Sequence, residues 1–211
     1  MTNSIYITMI KNIIFDFGDV FINLNKSKFE NNINENFGGL TKNKPLTELF
    51  NTYEKGLISS EEFITRILHK FPKLNRNEFV NTWNSIIADF PFYRVEFLKQ
   101  IQKSNRFKLF LLSNTNDLHI DYIKTNVPFY EEFKSCFDKF YLSQEINLRK
   151  PDKSIFEYVL RTNKINAEET LFIDDTLDHI KTAQSLGIKT WFLKPNEDVT
   201  SLLTYKKELF C

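Results

Sequence analysis

Five short apolar segments alternate with helix-like segments along this chain, and that alternation restricts the fold more than any other feature of the sequence. Each apolar segment is rich in Ile, Leu, Phe or Trp and ends near polar residues, as expected of strands buried on both faces. They are Asn12–Phe17, Phe107–Ser113, Lys139–Leu142, Thr170–Asp174 and Lys189–Leu193. Helical patterns follow at Asp117–Asn126, Lys153–Thr162 and Leu177–Leu186. The order of the segments predicts an α/β protein with a parallel sheet and right-handed crossovers.

No comparable strand pattern occurs between the first two of these strands. The apolar spacing there predicts helices at Phe29–Phe37, Leu46–Glu54, Glu61–Phe71, Asn77–Ala88 and Tyr93–Lys103. Aromatic residues recur at helical spacing, and most of them should lie in the core of this block, with one or two lining a substrate cleft; they are Phe29, Phe37, Phe50, Phe63, Phe71, Phe79, Trp83 and Phe90. We therefore expect a helical block inserted after the first strand, between two parts of one sheet domain.

The charge balance argues against a polyanionic or membrane partner. The chain has 28 basic and 27 acidic residues, so no global field favours nucleic acid or anionic lipid. Its cysteines, Cys136 and Cys211, have no metal-site or disulfide spacing, as in a reducing cytosol. Met1–Ile10 lacks the pattern of a signal peptide, and no apolar run reaches transmembrane length. We expect a cytoplasmic protein, monomeric or weakly dimeric, whose partner is a small molecule.

Two strands end at residues suited to nucleophilic attack and anion binding. Asp16 directly follows the apolar run Ile13–Phe15, and ligands of open α/β sheets collect at the carboxyl ends of strands. It is a candidate nucleophile, although a lone Asp after a strand more often caps a turn. Ser113–Asn116 precedes a helix whose free N–H groups favour anions. The same segment is also an ordinary helix-capping sequence.

Two later segments add charge at similar positions. Lys150 precedes Pro151 at the start of a helical pattern and is suited to neutralising an anionic substrate, although a solvated surface lysine is the default interpretation. Asp174 and Asp175 end an apolar strand side by side. Adjacent carboxylates repel unless a cation lies between them, and Mg²⁺ prefers carboxylate and carbonyl oxygen. This pair therefore predicts a magnesium site.

Taken together, Asp16, Ser113, Lys150 and the Asp174-Asp175 pair resemble the haloacid dehalogenase superfamily in their order and in their positions at strand ends or helix starts. The helical block after the first strand resembles the small helical cap of that superfamily. The resemblance implies a Rossmann-like core domain formed by residues 1–20 and 104–211, with a cap domain at residues 21–103.

Several segments resemble the sugar-phosphatase branch of the superfamily, which bacterial α-D-glucose-1-phosphate phosphatase typifies. They are Phe15–Val20, Tyr53–Gly56, Leu112–Asn116, Tyr141–Glu145 and Arg149–Asp152. This narrower resemblance implies a small phosphorylated metabolite as substrate, such as glucose 1-phosphate.

The resemblance also implies roles for individual residues. Asp16 would attack phosphorus to form an aspartyl-phosphate that water then hydrolyses. Mg²⁺ would be held by Asp16, the main-chain carbonyl of Gly18 and Asp175, with Asp174 assisting directly or through water.

The phosphoryl oxygens would be bound by Ser113 and Asn114 together with nearby N–H groups. Lys150 would stabilise the charge of the transition state and compensate Asp16.

The chain departs from the superfamily's pattern in two places. Gly18 stands where most of its phosphatases carry a second Asp as general acid and base, so leaving-group protonation has no assigned residue; Asp19 is one position off. His179 stands where Asp or Asn usually supports the metal site, and Asp178 is a candidate substitute. His119 is a further candidate to face the substrate, with an exposed helix-surface histidine as the alternative.

These departures leave two other functions open. The haloacid dehalogenases proper also lack the second Asp and need no metal, although the Asp174-Asp175 pair argues against them. The second is a weakly active protein that binds a phosphorylated ligand in a regulatory role, which the missing general acid and His179 favour.

Overall fold

A five-stranded parallel sheet forms the centre of the protein, as the alternating apolar segments predict. The computed structural model describes residues 9–37 and 44–202; the side chain of Phe37, together with Cys211, lies outside the described part. The strands are β1 (Asn12–Phe15), β2 (Lys108–Ser113), β3 (Lys139–Leu142), β4 (Thr170–Asp174) and β5 (Lys189–Phe192). Their order across the sheet is β3-β2-β1-β4-β5. The predicted Rossmann-like α/β architecture is confirmed.

Helices cover both faces of this sheet because its strands are apolar on both sides. Ile14 of β1 aligns with Phe110 of β2 and Phe172 of β4, and all three belong to the apolar cluster on one face. Ile13 and Phe15 belong to the cluster on the other face. The helices after β2 are α6 (Asp117–Asn126), α7 (Tyr130–Lys134), α8 (Ser143–Ile146), α9 (Lys153–Asn163) and α10 (Leu177–Ser185). None of the helices in residues 9–37 and 44–202 combines the length and apolar character needed to cross a bilayer.

Among the residues that the structure describes, five helices lie between β1 and β2. They are α1 (Lys26–Phe37), α2 (Lys44–Glu54), α3 (Ser60–Lys70), α4 (Arg76–Asn84) and α5 (Phe92–Lys103). The first four share an apolar cluster centred on Phe63, Phe79 and Trp83. By contrast, α5 packs its buried side chains into the apolar cluster that contains Ile13 and Phe15, which we call the sheet cluster. The proposed core and cap boundaries stay a prediction.

Most of the aromatic residues assigned to this helical block lie in or against its apolar cluster, as predicted, while the side chain of Phe37 is outside the described part. Phe63, Phe79 and Trp83 are buried in the apolar cluster of the first four helices, and Phe29, Phe50 and Phe71 pack against it. Phe90 was wrongly placed with them, since it packs on Phe17 and Phe133 in the sheet cluster.

The two chain segments that connect this block to the sheet pair with each other. Ala88 N donates to Asn23 O at 3.0 Å, and Asn23 N donates to Asp89 O at 2.9 Å. Leu24 and Ile87 form an antiparallel bridge between them. This pairing ends α4 at Asn84, so the predicted helix Asn77–Ala88 was too long. The connection is therefore a short double-stranded strip rather than two separate loops.

Candidate active site

A fully buried lysine joins two carboxylates at the carboxyl edge of the sheet. Asp16 follows β1 and Asp174 ends β4, so the pairing of these neighbouring strands brings the two side chains together. Lys150 Nζ lies 2.7 Å from Asp16 Oδ1 and 2.7 Å from Asp174 Oδ2, and it donates to Leu112 O at 2.8 Å. The surface-lysine interpretation of Lys150 is wrong.

Burial affects these charges unequally. It raises the pKa of Asp16 to about 7, despite the opposing attraction of Lys150. Burial also acts to raise the pKa of Asp174, but Lys150 and His179 outweigh it and hold that pKa below its usual value. The pKa of Lys150 is raised, because Asp16 and Asp174 outweigh the effect of its own burial. Asp16 is therefore the poorly stabilised charge of the group.

One oxygen of Asp16 is left for chemistry. Lys150 contacts Oδ1, whereas Oδ2 receives no hydrogen bond from any residue that the structure describes. A carboxylate with one anchored oxygen and one open oxygen is suited to nucleophilic attack.

A third carboxylate completes a set of hard oxygen donors. Ligand atoms of Asp16, Asp174 and Asp175 all lie within 4.8 Å of one another. Asp174 already accepts at both oxygens, since Thr176 N lies 2.7 Å from Oδ1 and Lys150 lies at Oδ2. Asp175 accepts from Lys26 Nζ at Oδ2 and from Thr176 Oγ1 at Oδ1, so Oδ2 of Asp16 is the least committed oxygen of the three carboxylates. Three carboxylates at this spacing fit Mg²⁺, which prefers such ligands.

His179, rather than Asp178, supports this cluster. Its Nδ1 lies 3.0 Å from each oxygen of Asp174. Asp178 is exposed and faces Lys181 at 3.5 Å. Asp178 therefore does not stand in for the residue that supports the metal site in the family, because it does not contact the cluster.

The loop after β2 has two different side chains beside Lys150. Asn114 Oδ1 accepts from Lys150 N and Asn114 Nδ2 donates to Lys150 O, both at 2.9 Å. Its amide is therefore occupied in bracing the lysine loop. Ser113 Oγ makes only a long contact of 3.4 Å with Asn114 O. Of the predicted phosphate-binding side chains, the hydroxyl of Ser113 is the freer donor.

His119 ties α6 to α4, and neither interpretation of it from sequence anticipated this. Its ring stacks on Trp83 at 5.4 Å, and its Nε2 lies 3.1 Å from Trp83 O. A carbonyl only accepts, so Nε2 carries the proton and Nδ1 accepts from Asn116 Nδ2 at 3.0 Å. Burial lowers the pKa of His119 to about 4, so the ring is neutral at pH 7.

Sequence reasoning missed Lys26, the first residue of α1. Its Nζ lies 2.7 Å from Asp19 Oδ2 and 2.9 Å from Asp175 Oδ2. Asp19, with φ +53°, has both carboxylate oxygens engaged, because Oδ1 accepts from Leu24 N at 2.8 Å and Oδ2 contacts Lys26. Nothing in the sequence distinguishes Lys26 from the other basic residues. It connects the helical block to the acidic cluster.

The helical block also meets the core at the end of α2. Arg149 Nε lies 2.5 Å from Glu54 Oε2, and Lys55 Nζ lies 3.1 Å from Asp152 Oδ2. Gly56 follows with φ +63°, and a Cβ there would lie 2.1 Å from Gln144 O. Only glycine permits this close approach of the two backbones.

A cleft of about 140 Å³ opens between these two parts of the protein. Glu54, Ser113, Asn114, Thr115 and His119 form its polar side. Its other walls are Phe17, Gly18, Ile22, Leu24, Ile86, Ile87 and Ile123. The cleft thus places the loop that carries Gly18 opposite the end of α2, with room for a small leaving group.

Comparison with known proteins agrees with this geometry. A D-ribitol-5-phosphate phosphatase of Bacteroides thetaiotaomicron is 28% identical over 192 residues, covering 87% of this chain and 91% of its own. A crystal structure of a haloacid dehalogenase family enzyme from the same organism is 34% identical, with TM-score 0.84, covering 92% of this chain and 98% of its own. That enzyme was also solved with magnesium and inorganic phosphate.

A hydrolase of Porphyromonas gingivalis described as HAD-like has TM-score 0.82 and 28% identity, covering 95% of this chain and 98% of its own. An L-2-haloacid dehalogenase is more distant, with 16% identity, TM-score 0.58, and coverage of 88% of this chain and 87% of its own; it shares the fold alone. The profile of the haloacid dehalogenase-like hydrolases matches residues 10–187. The chain therefore belongs to the haloacid dehalogenase-like hydrolases.

Proposed function

We propose that this hydrolase is a Mg²⁺-dependent phosphatase that cleaves the phosphomonoester of a small sugar or sugar alcohol, through an aspartyl-phosphate on Asp16. The observation that carries the proposal is the sharing of buried Lys150 between Asp16 and Asp174, with Asp175 close by. One buried cation is shared by two carboxylates, and the third, Asp175, has the exposed Lys26 beside it. This arrangement suits a site that also receives a divalent cation and a phosphate.

In the proposed reaction, Oδ2 of Asp16 attacks phosphorus and the ester P–O bond breaks. The departing oxygen takes a proton from water, because Gly18 offers no side-chain acid. A second water then hydrolyses the aspartyl-phosphate, which releases inorganic phosphate and restores Asp16. Splitting one displacement into two in this way lowers the barrier of each.

Each remaining site residue has a role that follows from its contacts. Lys150 stabilises the transferring phosphoryl group while it anchors Asp16, and Ser113 Oγ donates to a phosphoryl oxygen. Asn114 acts through its backbone N–H, since its side chain braces Lys150.

Asp16, Asp175 and the carbonyl of Gly18 would hold Mg²⁺, with Asp174 assisting. The bound cation would screen the repulsion between the nucleophile and the phosphate.

The domain division forms part of the same proposal. Residues 21–103 act as a cap over the sheet edge formed by residues 1–20 and 104–211, and the paired segments around Leu24 and Ile87 connect the two. Contacts of the end of α2 with Arg149 and Asp152 close the cleft over its contents. Closure of such a cap limits the access of bulk water to the reacting group.

As substrate, we favour the phosphate ester of a sugar alcohol of about five carbons over glucose 1-phosphate. The relative named D-ribitol-5-phosphate phosphatase supports this choice, and the small volume of the cleft is consistent with it. Halide displacement is the weaker alternative, because the dehalogenase likeness extends to the fold alone and the three clustered carboxylates offer the oxygen ligands that Mg²⁺ prefers.

Phosphate release from a panel of sugar and sugar-alcohol phosphates, including glucose 1-phosphate, tests the proposal. We expect release with Mg²⁺, loss with EDTA, and loss in Asp16→Asn. Asp178→Asn is the matched control, since Asp178 is exposed and outside the cluster. Absence of release from every compound, or activity retained in Asp16→Asn, would reject the phosphatase mechanism.

A further inference from the structure

The end of α2 places one carboxylate against the substrate cleft. Among the residues that the structure describes, Glu54 is the only charged side chain lining the cleft; His119 also lines it but is neutral at pH 7. Both ring nitrogens of His119 are occupied, by Trp83 O and by Asn116. The ring therefore offers the cleft a flat face and no free polar atom. Recognition of a polar leaving group from the helical side depends on Glu54.

Contacts on both sides hold Glu54 in position. The hydroxyl of Tyr53 accepts from Leu118 N at 3.1 Å and lies 2.7 Å from Ser60 Oγ. Its ring stacks on Phe63 with 4.2 Å between centroids. On the other side, Gly56 packs directly against the backbone of α8. The carboxylate is thus presented by a fixed piece of backbone.

The ion pair leaves one oxygen of Glu54 available. Arg149 Nε contacts Oε2, whereas Oε1 makes no hydrogen bond within residues 9–37 and 44–202. Arg149 is not part of the cleft wall, so the cleft meets the carboxylate and not the guanidinium. A carboxylate oxygen accepts hydrogen bonds and never donates them. Its partner must therefore carry an O–H or N–H group.

We propose that Glu54 selects leaving groups that are neutral and hydroxylated, and rejects those that carry a second anionic group. This inference rests on the phosphatase proposed above and specifies its substrate class. A hydroxyl of the leaving group donates to Oε1, while a carboxylate or second phosphate there faces like charge at short range. Repulsion of the wrong substrate and attraction of the right one then act at the same atom.

The test compares two substrates that differ in one group. One is a five-carbon sugar-alcohol 5-phosphate, and the other is the aldonic acid 5-phosphate with a carboxylate in place of the terminal CH₂OH. With the full chain and Mg²⁺, the wild type should prefer the first. Glu54→Gln should lower kcat/KM for the sugar-alcohol phosphate about tenfold, because a neutral amide oxygen replaces a charged acceptor and hydrogen bonds to charged groups are stronger. It should raise kcat/KM for the acid, so that the ratio of kcat/KM for the sugar-alcohol phosphate to kcat/KM for the acid falls by more than tenfold.

Two controls separate selectivity from damage to the site. Glu48→Gln changes an exposed residue of the same helix and should leave the ratio unchanged. Phenyl phosphate carries neither a hydroxyl nor a second anion, so its kcat/KM in Glu54→Gln measures damage to the site, and dividing the kcat/KM of the other two substrates by that of phenyl phosphate isolates selectivity. If Glu54→Gln is inactive on all three compounds, Glu54→Asp decides: retained rejection of the acid supports the inference, and its loss overturns it.

A ratio within twofold of wild type in an active Glu54→Gln would overturn the inference and leave the phosphatase intact. Absence of phosphate release by the wild type from all three compounds would instead count against the proposed function.

Discussion

Replacing the nucleophile should stabilise the metal-free protein while abolishing its activity. Asp16 is only 7% exposed, and burial raises its pKa to about 7 from an ordinary 3.8. Between these two values the folded protein binds more protons than the unfolded chain, so stability falls as pH rises through this window. Asparagine has nearly the same shape and cannot ionise. The Asp16→Asn variant should not show this fall.

The size of the effect follows from the shift in pKa. A shift of about three units corresponds to roughly 4 kcal/mol in the free energy of unfolding. Asparagine also gives up the ionic attraction of Lys150, so we expect a net gain of about 2–4 kcal/mol at pH 8 and almost none at pH 4. The gain should shrink when Mg²⁺ is added, because the cation compensates the Asp16 charge of the wild type alone.

Urea unfolding of both proteins from pH 4 to pH 9, first in EDTA and then in Mg²⁺, measures this difference. Asp178→Asn is the matched control, because it removes an exposed carboxylate from the neighbouring helix α10. Parallel stability curves for the wild type and Asp16→Asn in EDTA would refute the reasoning. They would mean that Lys150 fully compensates Asp16 in the folded protein.

Two further predictions concern the contacts between the helical block and the core. Gly56→Ala should lower kcat/KM for phosphate release at least tenfold, because its Cβ would overlap Gln144 O. Gly187→Ala is the control: its φ is +81° and its Cβ would meet Ala167 Cβ at an ordinary 3.8 Å, so it should lower thermal stability modestly and leave the kinetics unchanged. For His119, the pKa of about 4 lies below its usual 6.5, so the unfolded chain binds more protons between these values and stability falls on acidification. The stability advantage of the wild type over His119→Gln in urea should therefore decline by about 2–3 kcal/mol from pH 7 to pH 4, and a constant advantage would contradict the assignment.

The five strands were predictable from the sequence because strands buried on both faces of a parallel sheet are continuous apolar runs. Continuous apolar runs identified all five strands to within two residues at their ends. The edge at which Asp16, Ser113 and Asp174 meet followed from the rule that parallel strands share a carboxyl edge. The resemblance to a known family then supplied Lys150, whose burial the sequence alone argued against.

What the sequence did not reveal depends on contacts between distant segments. Local spacing continues the α4 pattern to Ala88, but pairing of Ile87 with Leu24 ends the helix earlier. Phe90 has the spacing of the cap aromatics, yet it packs on the sheet cluster. Lys26 has no local feature that marks it as a partner of Asp175. Each of these depends on how the helical block sits on the core, which local periodicity does not encode.

The arrangement of charges connects stability, metal binding and chemistry in this site. Lys150 supplies a single buried positive charge beside Asp16 and Asp174, so the burial of Asp16 is incompletely compensated. Lys26 reaches Asp175 from α1 and adds charge to the same cluster from the other side. A divalent cation would compensate what these lysines leave, and binding to the folded state alone adds its binding free energy to stability. The charge that makes Asp16 an effective nucleophile is thus also the charge that makes the metal-free protein less stable.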